Sequence, residues 1–379
     1  MTMKNGEPQR TSKPSVGDSE RIAVGRVLDS AYFGAGPETR AFEQELEAYL
    51  GGSRTVVCVS SGTAALHLAL VAAGLGPGDE VLVPSLTYVA CFQAVAATGA
   101  RPVACDVRRQ DGLIDLDDAL LHVNDRTRAI MPVHYAGHCG ELAAVYAFAA
   151  THGLRVVEDA AHAFGSLYQG KPVGCIGDLV CFSFDPIKNI TAGQGGAVVT
   201  DDAIAAERIR NARDLGIERS SGKGNLPDFE VTHLGWRYAL SDLLAAIGRA
   251  QLARFDAELK PFRQMAAACY RRSLAGVEGI VLLDSREDVV PHILPVRILG
   301  GMRDRVCAAL MEAGYETKVH YKPNHLLNAF SVTWPLPVCE TLYQELLTLP
   351  LHGGVTSDDI ENITAVIREQ LALSSPSTS

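Results

Sequence analysis

The sequence contains no C-x-x-C pair, no G-x-G-x-x-G fingerprint and no Walker-type lysine loop. The first absence removes zinc knuckles and dithiol redox chemistry. The other two argue against a nicotinamide or ATP enzyme. No run approaches the ~20 apolar residues of a membrane span, and the polar stretch from Met1 to Glu20 lacks the apolar core of a signal peptide. Positive charge is also in deficit: 34 basic residues face 44 acidic ones, a net charge of −10. That balance disfavours nucleic acid and anionic membranes as partners, while leaving room for a small anion in a local basic pocket.

What is present is an ordinary globular composition, 47% hydrophobic and 21% charged. Nine cysteines, Cys58, Cys91, Cys105, Cys139, Cys175, Cys181, Cys269, Cys307 and Cys339, are scattered and mostly sit in apolar runs. They read as buried free thiols and point to a reducing cytoplasm. A chain of 379 residues exceeds one core, so a large domain and a smaller one are expected. The ends, near Met1–Ser19 and Ser374–Ser379, are polar and read as mobile.

From Thr55 to about Thr200 the pattern alternates. Thr55–Val59, Glu80–Val83, Pro102–Asp106, Ala129–Val133 and Arg155–Glu158 read as strands. Thr63–Ala73, Tyr88–Ala97, Leu116–Leu121 and Glu141–His152 read as the intervening helices. Continuous apolar strands separated by helices predict an α/β fold with a mostly parallel sheet covered on both faces. Asp178–Phe184 and Gly196–Thr200 close that sheet. Helices follow over Asp202–Leu215 and Ser241–Arg254, with a polar, Gly-rich loop at Gly216–Phe229 between them. Beyond these, Val289–Ile298 and Thr317–Tyr321 read as strands, Arg303–Ala313 as a helix, and Ser357–Leu371 as a terminal helix capped by Ser357.

Chemistry concentrates in three places. Ser60-Ser61-Gly62-Thr63 joins a strand to a helix start, where free N–H groups and the helix dipole form an anion site, or simply a capped helix. Asp159 ends a strand. A carboxylate there favours a protonated pyridine nitrogen, the electron sink of pyridoxal phosphate (PLP) chemistry, or it caps a following helix. His162, three residues on, bonds a cofactor oxygen or packs in the core. Lys188 lies on a turn after an apolar strand and before the glycines at 193, 195 and 196. It reads as a Schiff-base lysine, activated by a dry pocket or a nearby cation, or else as a solvated surface lysine. Ser183 contacts phosphate or is a strand serine; Tyr88 covers a cofactor face or is core. Order, spacing and context together favour the PLP reading.

These residues resemble the sugar aminotransferases of the DegT/StrS type, within PLP fold type I. The shared segments are Gly36 to Phe42, Gly62-Thr63-Ala64-Ala65-Leu66, Gly78-Asp79-Glu80-Val81 with Pro84, Glu158 to Ala163, the lysine loop, and His320-Tyr321 with Pro323. The resemblance implies a large α/β/α PLP-binding domain over 21–250, a smaller C-terminal α+β domain over 251–379, and a flexible segment over 1–20. It implies that Lys188 carries the cofactor, Asp159 pairs with the ring nitrogen, Tyr88 stacks on the ring, and His162 faces the phenolate oxygen. Gly62, Thr63 and Ser183 would hold the phosphate. It also implies a homodimer with shared sites and amino transfer from L-glutamate to a keto sugar nucleotide.

Two departures stand out. Gly235-Trp236-Arg237-Tyr238-Ala239 takes the place of a Gly-x-Asn-Tyr type segment. Arg237 either replaces the phosphate-binding asparagine as a cofactor contact or serves substrate or structure. Gln194 stands where many members carry an acid. Val133-His134-Tyr135-Ala136-Gly137 and Asn189 to Gly193 are similar to members acting at C-4, which implies a dTDP-4-keto-6-deoxyhexose as acceptor. Arg219, Lys223, Arg237 and Lys322 are candidates for its pyrophosphate. The rivals are a C-3 aminotransferase, a non-nucleotide cyclic ketone as acceptor, a sugar dehydratase (disfavoured because such relatives replace the lysine with histidine) and a non-catalytic sensor.

Overall fold

The computed structural model describes residues 8–219, 229–283, 286 and 288–373. Its centre is a seven-stranded sheet in the order β1-β9-β8-β5-β4-β2-β3. The strands are β1 (Thr55–Val59), β2 (Glu80–Pro84), β3 (Arg101–Cys105), β4 (Thr127–Ile130), β5 (Arg155–Asp159), β8 (Leu179–Ser183) and β9 (Gly196–Thr200). A two-residue pair, β6 (Leu167–Tyr168) and β7 (Lys171–Pro172), precedes β8. Strands β3, β2, β4, β5 and β8 run parallel, and β9 is antiparallel to both its neighbours. Helices on the two faces explain the unbroken apolar strands: β2, β8 and β9 are buried at every position. Because the strands are parallel, Pro84, Asp159 and Ser183 all end on one edge, where an open α/β sheet binds its ligand.

The helices in chain order are α1 (Asp18–Ser30), α2 (Pro37–Tyr49), α3 (Gly62–Ala72), α4 (Ala90–Ala97), α5 (Leu116–Leu121), α6 (Leu142–His152), α7 (Ala203–Ala212), α8 (Asp242–Ala253), α9 (Lys260–Leu274), α10 (Arg303–Glu312), α11 (Pro337–Glu345) and α12 (Ser357–Ala372). The N-cap of α2, Gly36, has no side chain to offer. Buried Asp242 supplies the cap instead: its Oδ1 accepts from Gly36 N at 2.8 Å, Thr39 N at 2.9 Å and Thr39 Oγ1 at 2.8 Å. A Cβ on Gly36 would lie 2.8 Å from that carboxylate and 2.2 Å from the Tyr32 ring, so only glycine fits.

The C-terminal part builds a second sheet, β12 (Ile280–Leu282), β13 (Leu294–Ile298) and β14 (Leu346–Leu349), antiparallel throughout. A separate core of Tyr270, Val296, Leu310, Leu347 and Ile363 packs it under α9, α10 and α12. Several expected boundaries move. Thr317–Tyr321 is not a strand; Lys318 alone pairs, with Thr348, and the chain then leaves the sheet to carry Tyr321 toward the main cleft. The strand expected over 289–298 starts at Leu294, because His292 and its neighbours turn toward Lys188 and Arg263. The cap of α12 is Thr356, not Ser357: Thr356 Oγ1 accepts from Asp359 N, and the Asp359 carboxylate accepts from Thr356 N, a reciprocal box. Helix α4 begins at Ala90, leaving Tyr88 on the turn before it. The described ends of the expected Gly-rich loop pair as β10 (Ile217–Arg219) and β11 (Phe229–Val231); Lys223, between them, lies outside the described residues.

Two ties join the parts. Asn324 Nδ2 donates to the carbonyls of Ser85 and Thr87, and Ser85 Oγ meets His325 Nδ1 at 2.8 Å, fixing the turn after β2. Near the start of the chain, where a flexible tail is expected, Gln9 pairs with Tyr315, Thr11 N donates to Glu316, and the Ser15 carbonyl accepts from Gln251 and Arg254.

Candidate active site

Lys188 sits on a turn closed by its N–H to the Asp185 carbonyl at 3.0 Å. The next residue anchors that turn: Asn189 Nδ2 donates to the carbonyls of Phe164 and Val290. From below, the buried Arg263 guanidinium donates to the carbonyls of Pro291, His292 and Lys188. Lys188 is half-buried, and desolvation pushes its pKa from the ordinary 10.5 down to about 8, against the opposing pull of Asp159. A fully solvated surface lysine would show neither feature.

Asp159 is buried at the end of β5. No helix follows it, so it caps nothing; its Oδ1 accepts from Ala161 N at 3.0 Å within a turn. His162 is also buried. Its Nε2 meets the Tyr321 hydroxyl at 3.0 Å, while its Nδ1 has no partner among the described residues. Burial, then the Lys188 charge, holds the His162 pKa well below the usual imidazole range, so the ring is neutral near pH 7. Tyr88 is exposed, its ring centroid 5.7 Å from that of Tyr321.

At the start of α3, Ser61 Oγ accepts from Ala64 N at 3.0 Å. The cap and anion-site readings therefore coexist. The first two helical N–H groups, of Gly62 and Thr63, have no partner inside the helix and remain available. Gly62 lies against Ser183: a Cβ there would come within 2.7 Å of Ser183 Cβ and 3.0 Å of its Oγ. A free amine, a carboxylate, two N–H groups, a hydroxyl and an orphaned buried imidazole nitrogen form a donor set that matches the aldehyde, ring nitrogen, phosphate and phenolate of PLP.

Arg237 does not join this group within the chain. It pairs with Asp214 by backbone bridge and by an ion pair at 3.9 Å, with its side chain 79% exposed. Gln194 and Lys322 are exposed as well. Sequence reasoning assigned no role to three residues found here. His292 is buried with Nε2 3.5 Å from Lys188 Nζ and its ring 4.4 Å from that of His162. Cys91 contacts Asp159, and Arg263 supports the lysine turn. The only signal for His292 was a histidine inside an apolar run, which core packing explains equally well. Cys91 carried none beyond burial.

A mostly parallel sheet with these groups on its carboxyl edge is the architecture of PLP enzymes of fold type I. More narrowly, the chain belongs to the DegT/DnrJ/EryC1/StrS aminotransferase family, whose model matches residues 14–368. Among solved structures it is similar to DesV of S. venezuelae, with 37% identity over 93% of this chain and 94% of that one and a TM-score of 0.86. It is also similar to the aminotransferase TlmJ from Streptoalloteichus hindustanus, with 33% identity, 97% and 100% coverage and a TM-score of 0.90. Helicobacter pylori PseC, an aminotransferase of pseudoaminic acid biosynthesis, matches at 27% identity, 97% and 100% coverage and a TM-score of 0.90. The protein is a PLP-dependent sugar aminotransferase. No described helix is long and apolar enough to cross a membrane.

Proposed function

We propose that the protein transfers an amino group from L-glutamate to the C-4 keto group of a dTDP-linked 4-keto-6-deoxyhexose, for deoxyaminosugar biosynthesis, acting as a cytoplasmic homodimer with shared sites. The observation that carries the catalytic assignment is the half-buried Lys188 on its anchored turn, its amine beside His292 and within reach of the Asp159 charge. The C-4 preference is supported by the sequences around His134 and Asn189. In this reading Tyr88 and Arg237 act at the shared site, with Arg237 serving the neighbouring subunit's phosphate from its exposed position on the chain.

When bound, PLP supplies an electron sink for a carbanion at the amino-bearing carbon. Lys188 would hold the cofactor and would move a proton at the amino-bearing carbon, a task suited to a group poised near neutrality. Asp159 would keep the ring nitrogen protonated by opposite charge. Neutral His162, steadied by Tyr321, would serve the phenolate oxygen. Gly62, Thr63 and Ser183 would hold the phosphate at the α3 N-terminus. Lys188 would return the proton to the sugar carbon from one face and so fix the stereochemistry.

The test is product regiochemistry. The enzyme, PLP and glutamate are incubated separately with the 4-keto and 3-keto forms of dTDP-6-deoxyglucose, and the new amine is located by NMR. Amine at C-4 alone supports the proposal. Amine at C-3 alone keeps the enzyme class and overturns the position. No amine from either transfers attention to cyclic ketones without a nucleotide.

A further inference from the structure

Both oxygens of Asp159 are engaged by the protein itself. Oδ1 takes the Ala161 N–H, and Oδ2 takes the Cys91 thiol, with sulfur 2.9 Å away. A thiol has one proton, and this one goes to the carboxylate. The contact of Cys91 Sγ with Thr87 Oγ1 at 3.2 Å must therefore be donated by the hydroxyl. The result is a directed chain, Thr87 hydroxyl to Cys91 thiol to Asp159 carboxylate, with all three residues buried. Its upstream end is fixed. Thr87 lies on the turn whose carbonyls are held by Asn324, and Cys91, in the first turn of α4, has its N–H on the Tyr88 carbonyl. Burial and the adjacent Asp159 charge keep the thiol protonated, so it is a permanent donor.

We propose that Cys91 is a positioning residue for Asp159: its thiol, aimed by Thr87, fixes the carboxylate's orientation and occupies one of its lone pairs, so that a sulfur donor sets how Asp159 meets the cofactor ring nitrogen. This rests on the assignment of Asp159 to that nitrogen. A carboxylate with a second donor is less free to rotate than one held by Ala161 N alone. Cys91 then acts through Asp159 and takes no part in bond making.

The experiment compares Cys91→Ala, Cys91→Ser and Asp159→Ala with the parent protein. Apoenzyme prepared from each holoenzyme is titrated with PLP. Cys91→Ala is expected to bind PLP about 3- to 10-fold more weakly, the effect of losing one buried hydrogen bond. Cys91→Ser, which keeps a donor, is expected to fall within about 2-fold of the parent. In parallel, the infrared S–H band of Cys91 is isolated by subtracting the Cys91→Ala spectrum, and it should move to higher frequency in Asp159→Ala. Unchanged affinity in Cys91→Ala, or a serine variant as weak as the alanine one, overturns the proposal. So does an S–H band indifferent to Asp159. If the band moves while Asp159→Ala binds PLP normally, the thiol contact stands and the assignment of Asp159 to the ring nitrogen fails instead.

Discussion

Lys188 Nζ lies 3.5 Å from His292 Nε2, and burial holds that imidazole well below its usual pKa, so it is neutral and, with its proton on Nδ1, able to accept. A neutral acceptor stabilises the ammonium form of the lysine over the amine. The lysine nevertheless falls to about 8, with burial as its largest cause. In that tautomer His292 would temper the fall rather than produce it. In His292→Phe the Lys188 midpoint is expected to drop below 8. Competitive acylation of the apoenzyme, followed by mass spectrometry of the Lys188 peptide, measures it; a midpoint at or above 8 removes this role.

The same measurement on the parent protein has a definite sign. Only the neutral amine attacks an acylating reagent, so reactivity is lost as pH falls through the lysine pKa. Lys188 modification should rise about tenfold per pH unit below 8 and level off above it. A plateau reached only near 10.5, the ordinary lysine value, would show that the pocket does not perturb the amine.

Lys188→Ala is expected to bind PLP without covalent attachment and to lose transamination. Borohydride treatment should then leave no cofactor on the polypeptide. Turnover at the parent rate would reassign the lysine.

Asp159→Ala is expected to slow the half-reaction with glutamate by about 10²–10³-fold, the scale of losing one charge aimed at the reacting system. Stopped-flow absorbance of the bound cofactor reads this directly, and an unchanged rate would free Asp159 from its role.

Away from the chemistry, Asp242→Ala leaves the first N–H groups of α2 without acceptors in a buried place. A loss of about 1–3 kcal/mol of stability is expected, seen as a lower urea midpoint. Asp242→Asn, which keeps an acceptor oxygen, should lose less.

Much of this site was legible in the sequence because its parts belong to regular junctions. Asp159 follows a continuous apolar strand, Gly62 and Thr63 open a helix, and Lys188 follows a second strand, so local patterning alone places all three on the carboxyl edge. His292, Cys91 and Arg263 were not legible. Each sits in an apolar stretch whose ordinary explanation is packing, and its role exists only through a partner far along the chain. Thr317–Tyr321 misled for a related reason: its β-branched and aromatic residues suit a strand, but Tyr321 is recruited to His162 and the ladder keeps only the Lys318 bridge. Arg237 was legible as an oddity, and its exposed pairing with Asp214 leaves any phosphate role to an assembly of two chains.

The strap near the start of the chain bears on synthesis. Gln9 Nε2 bonds the Gly354 carbonyl, and His352 meets the Arg10 carbonyl, across separations of 345 and 342 residues. Gln9 and Arg10 thus meet these two partners only after residues 352–354 have left the ribosome, whereas Ser15 can dock earlier on Gln251 and Arg254. Domains made first can collapse as they emerge, but these two contacts must wait, and closing so long a loop is slow relative to local contacts. A nascent chain halted before residue 352 would carry the Lys188 turn and its supporting helices with the strap held by Gln251, Arg254, Tyr315 and Glu316. The strap is then fastened in stages, at Gln251 and Arg254 before His352 and Gly354.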